Sequence, residues 1–245
     1  MTRSSVPLGI LVAALLGGCR RADPPDQSAR GPAAATTTTP AARAPTGRLA
    51  PPPAAVPPPA DTRAMPVGIP REALAYRDNF IRIWRFYFAL AESPTIGFAQ
   101  VHQESRWRTE AKSIYASGLA QFTPATAADF AVILPPEVRA GCPSKAGCPT
   151  DPNWALNALS LYDFRLHRGY GWAATPNDRW SLALAAYNGG AGWLTKERVK
   201  ANNSSSWADI VNACMRSAAS CKENHDYPVV ILGKWLPLYR TWLGL

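Results

Sequence analysis

The feature that most limits the fold is what the first 68 residues lack. Residues 20–68 are dominated by Pro, Ala, Thr and Arg, with Thr36-Thr37-Thr38-Thr39-Pro40 and the triplets Pro51-Pro52-Pro53 and Pro57-Pro58-Pro59. Such a stretch buries almost nothing and is expected to stay extended and disordered. At polyproline spacing it reaches on the order of 150 Å. Any core must therefore come from residues 69–245, which is ample for one domain.

Before the Pro-rich stretch, Arg3 is followed by a mostly apolar run, residues 6–16, and then Leu16-Gly17-Gly18-Cys19. A positive start, a short apolar run and small residues before a cut read as a secretory signal over 1–18. The run is short of the ~20 residues that span a bilayer. Cys19 after Leu-Gly-Gly resembles a bacterial lipobox, which implies lipid on Cys19 and cleavage before it. The alternative is an ordinary signal peptide with a chance Cys. More than one acyl chain makes such anchoring stable. Arg20, where an Asp favours inner-membrane retention, leans towards the outer membrane. The expected plan is a signal over 1–18, a lipidated tether over 19–68 and a folded domain over 69–245, lipid-anchored in the periplasm.

Beyond residue 70 there are 19 basic and 14 acidic residues, a balance of about +5. That suits an acidic polymer but is too mixed to argue nucleic acid. Besides Cys19 there are Cys142, Cys148, Cys214 and Cys221. An even number in an exported chain suggests disulfides. Four Cys allow three connectivities, of which the local pairs Cys142–Cys148 and Cys214–Cys221 are favoured. A zinc site is the competitor, but the spacings are wrong and no His is near.

The punctuation of the domain is helical. Ser93-Pro94, Thr123-Pro124 and Asp151-Pro152 each put a capping side chain before a Pro. Asn177-Asp178 and Ser206 offer further caps, and Gly169 and Gly189 can end helices. Helices are expected near 71–91, 94–105, 124–133, 152–168, 178–188, 191–201, 206–216 and 228–243. No run alternates strictly enough for a strand, so the domain reads as all-α or lysozyme-like α+β. The run 229–236 is apolar nearly all round and is expected to be a buried closing helix.

Glu104 shares a helix face with Val101, Gly97 and Ile96. Desolvation there raises a carboxyl pKa, which suits a general acid. Pairing with Arg106 or Arg108, or a solvated helix end, is the plainer reading of Glu104 alone. Gly118-Leu119-Ala120-Gln121-Phe122-Thr123-Pro124 forms a turn into a capped helix, where the Gln121 amide suits sugar hydroxyls and acetamides or else satisfies loop backbone. Tyr187 lies on the face of Trp180, Ala183 and Leu184. Its buried hydroxyl needs a partner, which Glu104 or the backbone can supply. Asn188-Gly189-Gly190 then permits a tight helix-ending turn.

Residues 95–240 resemble the catalytic domain of the soluble lytic transglycosylase family, relatives of goose-type lysozyme. The matching elements are Glu104-Ser105, Ala111 and Ser113, Gly118-Leu119-x-Gln121-x-x-Pro124-x-Thr126, Ala186-Tyr187-Asn188-Gly189-Gly190, and Glu223-x-x-x-Tyr227. The resemblance implies a mainly α, lysozyme-like fold and cleavage of the MurNAc-β-1,4-GlcNAc bond of peptidoglycan. It implies that Glu104 is the catalytic acid and base. It implies that Ser113, Gln121, Tyr187 and Tyr227 bind substrate or orient the acid, with Ser105 and Asn188 in the same motifs. The turn from Ser113 to Gly118 is one residue shorter than the family's usual form, and Thr123 stands where a Met is common. Pro228 is expected to hold Tyr227 in extended backbone.

Most glycosidases use two carboxylates. No motif supports a partner for Glu104: Glu110, Asp129 and Asp151 read as surface or capping residues. One acid suffices if the muramic C6 hydroxyl attacks C1 intramolecularly, leaving a 1,6-anhydro end without metal or cofactor. A lysozyme-like muramidase is the alternative enzyme, and a lipid-tethered peptidoglycan-binding protein the non-enzymatic one.

Overall fold

A computed structural model describes residues 65–245. The expected signal, the lipidation site Cys19 and the tether up to residue 64 lie outside the described residues. The domain starts slightly before residue 69, because Met65 already packs on the core and Ile69 is buried in it.

Helices carry the domain. They are α1 (Glu72–Phe88), α2 (Thr95–Ser105), α3 (Pro124–Ile133), α4 (Pro136–Gly141) and α5 (Pro152–Gly169). Then come α6 (Pro176–Gly189), α7 (Ala191–Lys200), α8 (Trp207–Asn212), α9 (Ala218–Val230), a π-helical turn (Ile231–Trp235) and α10 (Leu236–Leu243). Among the described residues no strand forms. Their only β character is two isolated antiparallel bridges, Lys112 with Ser117 and Ser117 with Phe122. The fold is mainly α, as expected. No helix among the described residues is long and apolar enough to cross a membrane.

The Ser/Thr/Asp-Pro signals work as caps because a Pro at the first helical position lacks an N–H that would be unpaired anyway. Thr123 accepts from the Thr126 N–H, and Asp151 accepts from the Trp154 N–H at 2.7 Å. α6 starts at Pro176, two residues before the expected start at 178, and its cap is Thr175, which accepts from the Asp178 N–H at 3.0 Å. Asp178 caps a different helix: its Oδ1 accepts from the Trp207 N–H at 2.9 Å, at the start of α8, where Ser206 makes no capping bond of its own.

Two helices have no counterpart in the expected set, α4 and α9. The helix α9 runs through Pro228, so the expected extended backbone at Tyr227 is not what forms. Proline disfavours helix at the preceding residue but does not forbid it where packing holds the chain. Immediately after it the ladder widens into the π turn at Ile231–Trp235. The closing segment is also one-sided, not buried all round. Val229 is exposed, while Ile231, Leu236, Tyr239, Trp242 and Leu243 are buried.

At the centre is α6, buried continuously from Trp180 to Gly189 and packed against α5, α7, α8 and α9. Against α10 and the π turn lies α2, buried from Thr95 to His102. Trp84, Trp107, Trp154, Trp242 and Tyr239 fill the interior. Both local disulfides are present, Cys142–Cys148 and Cys214–Cys221, each with Cα atoms 6.1 Å apart. Glu197, Cys214 and Cys221 lie close enough together to hold a metal ion, but the disulfide takes both sulfurs.

Candidate active site

Glu104 stands one residue before the end of α2, which stops as Arg106 and Trp107 turn to positive φ. It lines a pocket together with Gln121, Phe122, Thr123, Thr126, Tyr162, Tyr187 and Asn188. Surrounding protein strips water from most of the carboxyl. Desolvation pushes its pKa from about 4.5 up to about 8, against the opposing effect of a hydrogen bond from Tyr227. A carboxyl that keeps its proton at neutral pH is what proton donation to a leaving group needs.

The phenol on Glu104 belongs to Tyr227, whose Oη donates to Glu104 Oε1. Tyr187, the expected partner, donates instead to the Ala120 carbonyl at 2.7 Å and ties the Gly118–Gln121 turn to α6. Burial first, and the Glu104 charge second, push the pKa of both phenols well up. Both therefore stay neutral donors.

Removing the Tyr227 hydroxyl leaves Glu104 a weaker acid. Tyr227→Phe is expected to lower kcat by about tenfold or more. It should also move the alkaline limb of the pH profile upward, since the bond it removes holds the carboxyl down. A pH profile of kcat/KM checks both effects.

Other motif residues serve the scaffold of the pocket. Gln121, at φ 47°, gives its amide hydrogens to the carbonyls of Ala111 (3.0 Å) and Gly118 (2.9 Å), so its remaining polar atom is the acceptor Oε1. Ser113 Oγ accepts from the N–H groups of Tyr115 and Ala116 and so closes the shortened turn. Ser105 is buried, donates to the Val101 carbonyl and does not line the pocket. Thr123, standing where a Met is common, caps α3 and still reaches the pocket wall. Gly118 has φ +81°, and a Cβ there would fall 1.6 Å from the Pro149 carbonyl oxygen, so only Gly fits.

Asn188 links this pocket to a second, wider hollow bounded by Gly189, Trp193, Met215, Arg216, Glu223 and Asn224. The hollow is the roomier of the two, at about 940 Å³ against about 310 Å³ around Glu104. The groove wall is held by Glu197, which is fully buried and accepts from the Met215 N–H and Arg216 Nε, both at 3.4 Å. Burial pushes the Glu197 carboxyl up, but His225 and Arg216 outweigh it and hold it below its usual value.

The Asn-Gly-Gly sequence follows from this packing. Asn188 Nδ2 donates to Asn224 Oδ1 at 3.2 Å. A Cβ on Gly189 would meet Asn224 Oδ1 at 2.2 Å and Arg216 Nη1 at 2.5 Å. Gly189→Ala is therefore expected to destabilise the fold by about 2 kcal/mol through overpacking, read as a lower urea midpoint.

His102, two residues before Glu104, is no rival acid. It stacks on Trp235 at 4.0 Å and meets the Tyr239 hydroxyl at 3.1 Å. Burial first, then Arg106 and Lys234, lower its pKa to about 4. Two residues of the site escaped the motif reading. Tyr162 lines the pocket, and Asp163 is buried behind it on α5. Their signal was a charged residue on the apolar stripe Leu156, Leu159, Asp163 of a helix.

Residues 91–210 match the family model described as the Transglycosylase SLT domain. The chain thus carries a domain of the SLT family. No curated protein matches the chain. Among solved structures it is similar to the 70 kDa soluble lytic transglycosylase SLT70 from Escherichia coli, at 25% identity and a TM-score of 0.46. That likeness covers 66% of this chain and 24% of the other, so the chain spans about a quarter of that protein's length. The family match ends before α9, so the Tyr227 contact rests on this structure's own geometry.

Proposed function

We propose that this chain is a peptidoglycan lytic transglycosylase that cleaves the MurNAc-β-1,4-GlcNAc bond and leaves 1,6-anhydroMurNAc ends. The observation that carries the reading is a desolvated Glu104, bonded by Tyr227, at the mouth of a groove in an SLT domain. The glycan lies along the hollow beside Trp193, with the scissile bond over Glu104. Glu104 protonates the glycosidic oxygen as that bond breaks. As a carboxylate it then takes the proton of the muramic C6 hydroxyl, whose oxygen bonds to C1. Holding that hydroxyl on the same sugar lowers the entropic barrier to closure. Gln121 Oε1, Asn188 and Tyr187 face the sugar from the pocket wall, and Ser113 and Ser105 support the turn and helix that carry them. Lipid on Cys19 and the Pro-rich tether would hold the domain in the periplasm, on the outer membrane, within reach of the wall.

Digestion of glycan strands in heavy-oxygen water tests the reaction type. The reading expects no heavy oxygen at the new muramic ends. One heavy oxygen per cleavage identifies a muramidase and overturns the transglycosylase reading.

A further inference from the structure

Met215, Arg216, Ser217 and Ser220 all line the hollow beside Asn188, and all come from one short loop between Cys214 and Cys221. The disulfide therefore joins the two ends of the segment that forms this wall. The family match ends at residue 210, so both loop and bridge lie beyond it.

The non-covalent hold on the loop is weak. The Met215 N–H and Arg216 Nε both donate to Glu197 Oε1, and at 3.4 Å each bond is longer than a good N–H···O bond. Lys200 Nζ donates to the Cys214 carbonyl at 3.1 Å, from an exposed position. Ser217 Oγ accepts from the Ser220 N–H as the cap of α9. Met215 itself is 47% exposed. Beneath the loop, the buried Glu197 carboxylate lies within 4.8 Å of both bridge sulfurs.

Arg216 carries the position of the loop towards the site. Its side chain is 8% exposed, and its Nη1 lies 2.5 Å from where a Cβ on Gly189 would stand. Gly189 follows Asn188, which lines both the hollow and the Glu104 pocket. No residue of the loop lines the Glu104 pocket itself. A loop released at its base thus takes Met215 and Arg216 out of the wall and leaves the surroundings of Glu104 in place.

We propose that the Cys214–Cys221 bridge is a positioning element for glycan binding, and that opening it by exchange with a dithiol switches substrate affinity. One thiolate of the dithiol attacks a bridge sulfur, and its second thiol then displaces the first. The dithiol leaves as a cyclic disulfide, and the two Cys thiols have gained two electrons and two protons. Cys214 is partly exposed and Cys221 is buried, so Cys214 Sγ is the sulfur open to attack. With the bridge closed, glycan meets a wall already ordered. With it open, the wall must be ordered on binding, which weakens ground state and transition state alike. The proposal rests on the hollow being where the glycan lies.

The other disulfide is an internal control. Cys142–Cys148 ties the end of α4 to the turn before α5, and none of residues 142–148 lines either cavity.

The test is steady-state cleavage of soluble glycan strands by wild type, Cys214→Ser/Cys221→Ser and Cys142→Ser/Cys148→Ser, with and without dithiothreitol. Cys214→Ser/Cys221→Ser should raise KM about tenfold, as expected for ordering two or three wall side chains on binding. It should keep kcat within about twofold and leave the alkaline limb of the pH profile where it is. Cys142→Ser/Cys148→Ser should keep the wild-type KM. Dithiothreitol should raise KM in wild type and in Cys142→Ser/Cys148→Ser, reversibly on reoxidation, and leave KM unchanged in Cys214→Ser/Cys221→Ser. An unchanged KM in Cys214→Ser/Cys221→Ser makes the bridge a stability device. A loss confined to kcat, a moved limb or an equal rise in the control makes the effect global. Each of these overturns the proposal, as does a count of released thiols showing that the bridge stays closed in dithiothreitol. If Cys214→Ser/Cys221→Ser does not fold, the response of Cys142→Ser/Cys148→Ser to dithiothreitol decides, and no rise in KM there counts equally against the idea. Full activity in Glu104→Gln would instead remove the reading beneath, a failure visible without any Cys variant.

Discussion

Glu104→Gln is expected to reduce glycan cleavage by about 10³-fold or more, the upper part of the range for a positioned general acid. The amide keeps the shape of the side chain, so Tyr227 retains an acceptor and the pocket keeps its walls. In the proposed reaction it loses the proton for the leaving oxygen and the base for the C6 hydroxyl. Both steps of that proposed reaction run through one group, so no other side chain is expected to relieve the deficit. Glu110 and Asp129 are exposed, and Asp151 caps α5. Asp163 is fully buried, does not line the pocket, and burial raises its pKa well above the usual carboxylate value. The check is the initial rate of release of soluble fragments. A variant within tenfold of wild type would contradict the assignment.

The same substitution is expected to stabilise the fold, increasingly so as pH rises. Glu104 ionises near 4.5 when free and at about 8 in the folded chain. Between these values the native state binds a proton that the unfolded state has lost. Stability from this group is therefore full below about pH 4.5 and is lost progressively up to about pH 8. Gln does not titrate, so its advantage grows across that window and levels off above it. Its ceiling is on the order of 4 kcal/mol. Asp163 adds a slope of the same sign, and the part of it that the Glu104 charge induces disappears in the variant. Denaturant unfolding of the pair at about pH 5 and above pH 8 reads the difference directly. Parallel stability curves would mean that Glu104 is not desolvated.

How far this site was legible follows from what kind of signal placed each residue. Thr123-Pro124 and Asp151-Pro152 are local chemistry, and the helices they cap form where expected. Glu104 on an apolar face is also local, and burial does raise its pKa. Tyr227 on Glu104 is not local: the two lie 123 positions apart and meet only because α9 passes through Pro228. The local rule for the residue before Pro pointed the other way, and packing against α6 and the π turn overrode it. Gln121 was marked as sugar-facing by type and Ser113 by the family resemblance; the Gln121 amide hydrogens and Ser113 Oγ close the turns around them. Asp163 carried a signal that the catalytic motifs drew attention away from, a charge on the buried stripe of α5. The need for Gly at 189 is set by two side chains from beyond α8, Arg216 and Asn224, so motif spacing gives the residue but not its reason.

The most direct test is digestion of purified sacculi by wild type and by Glu104→Gln, with the products weighed by mass spectrometry. The account predicts muropeptides ending in 1,6-anhydro rings from wild type and almost none from the variant. Products one water heavier from wild type, or anhydro products from Glu104→Gln at the wild-type rate, would contradict it.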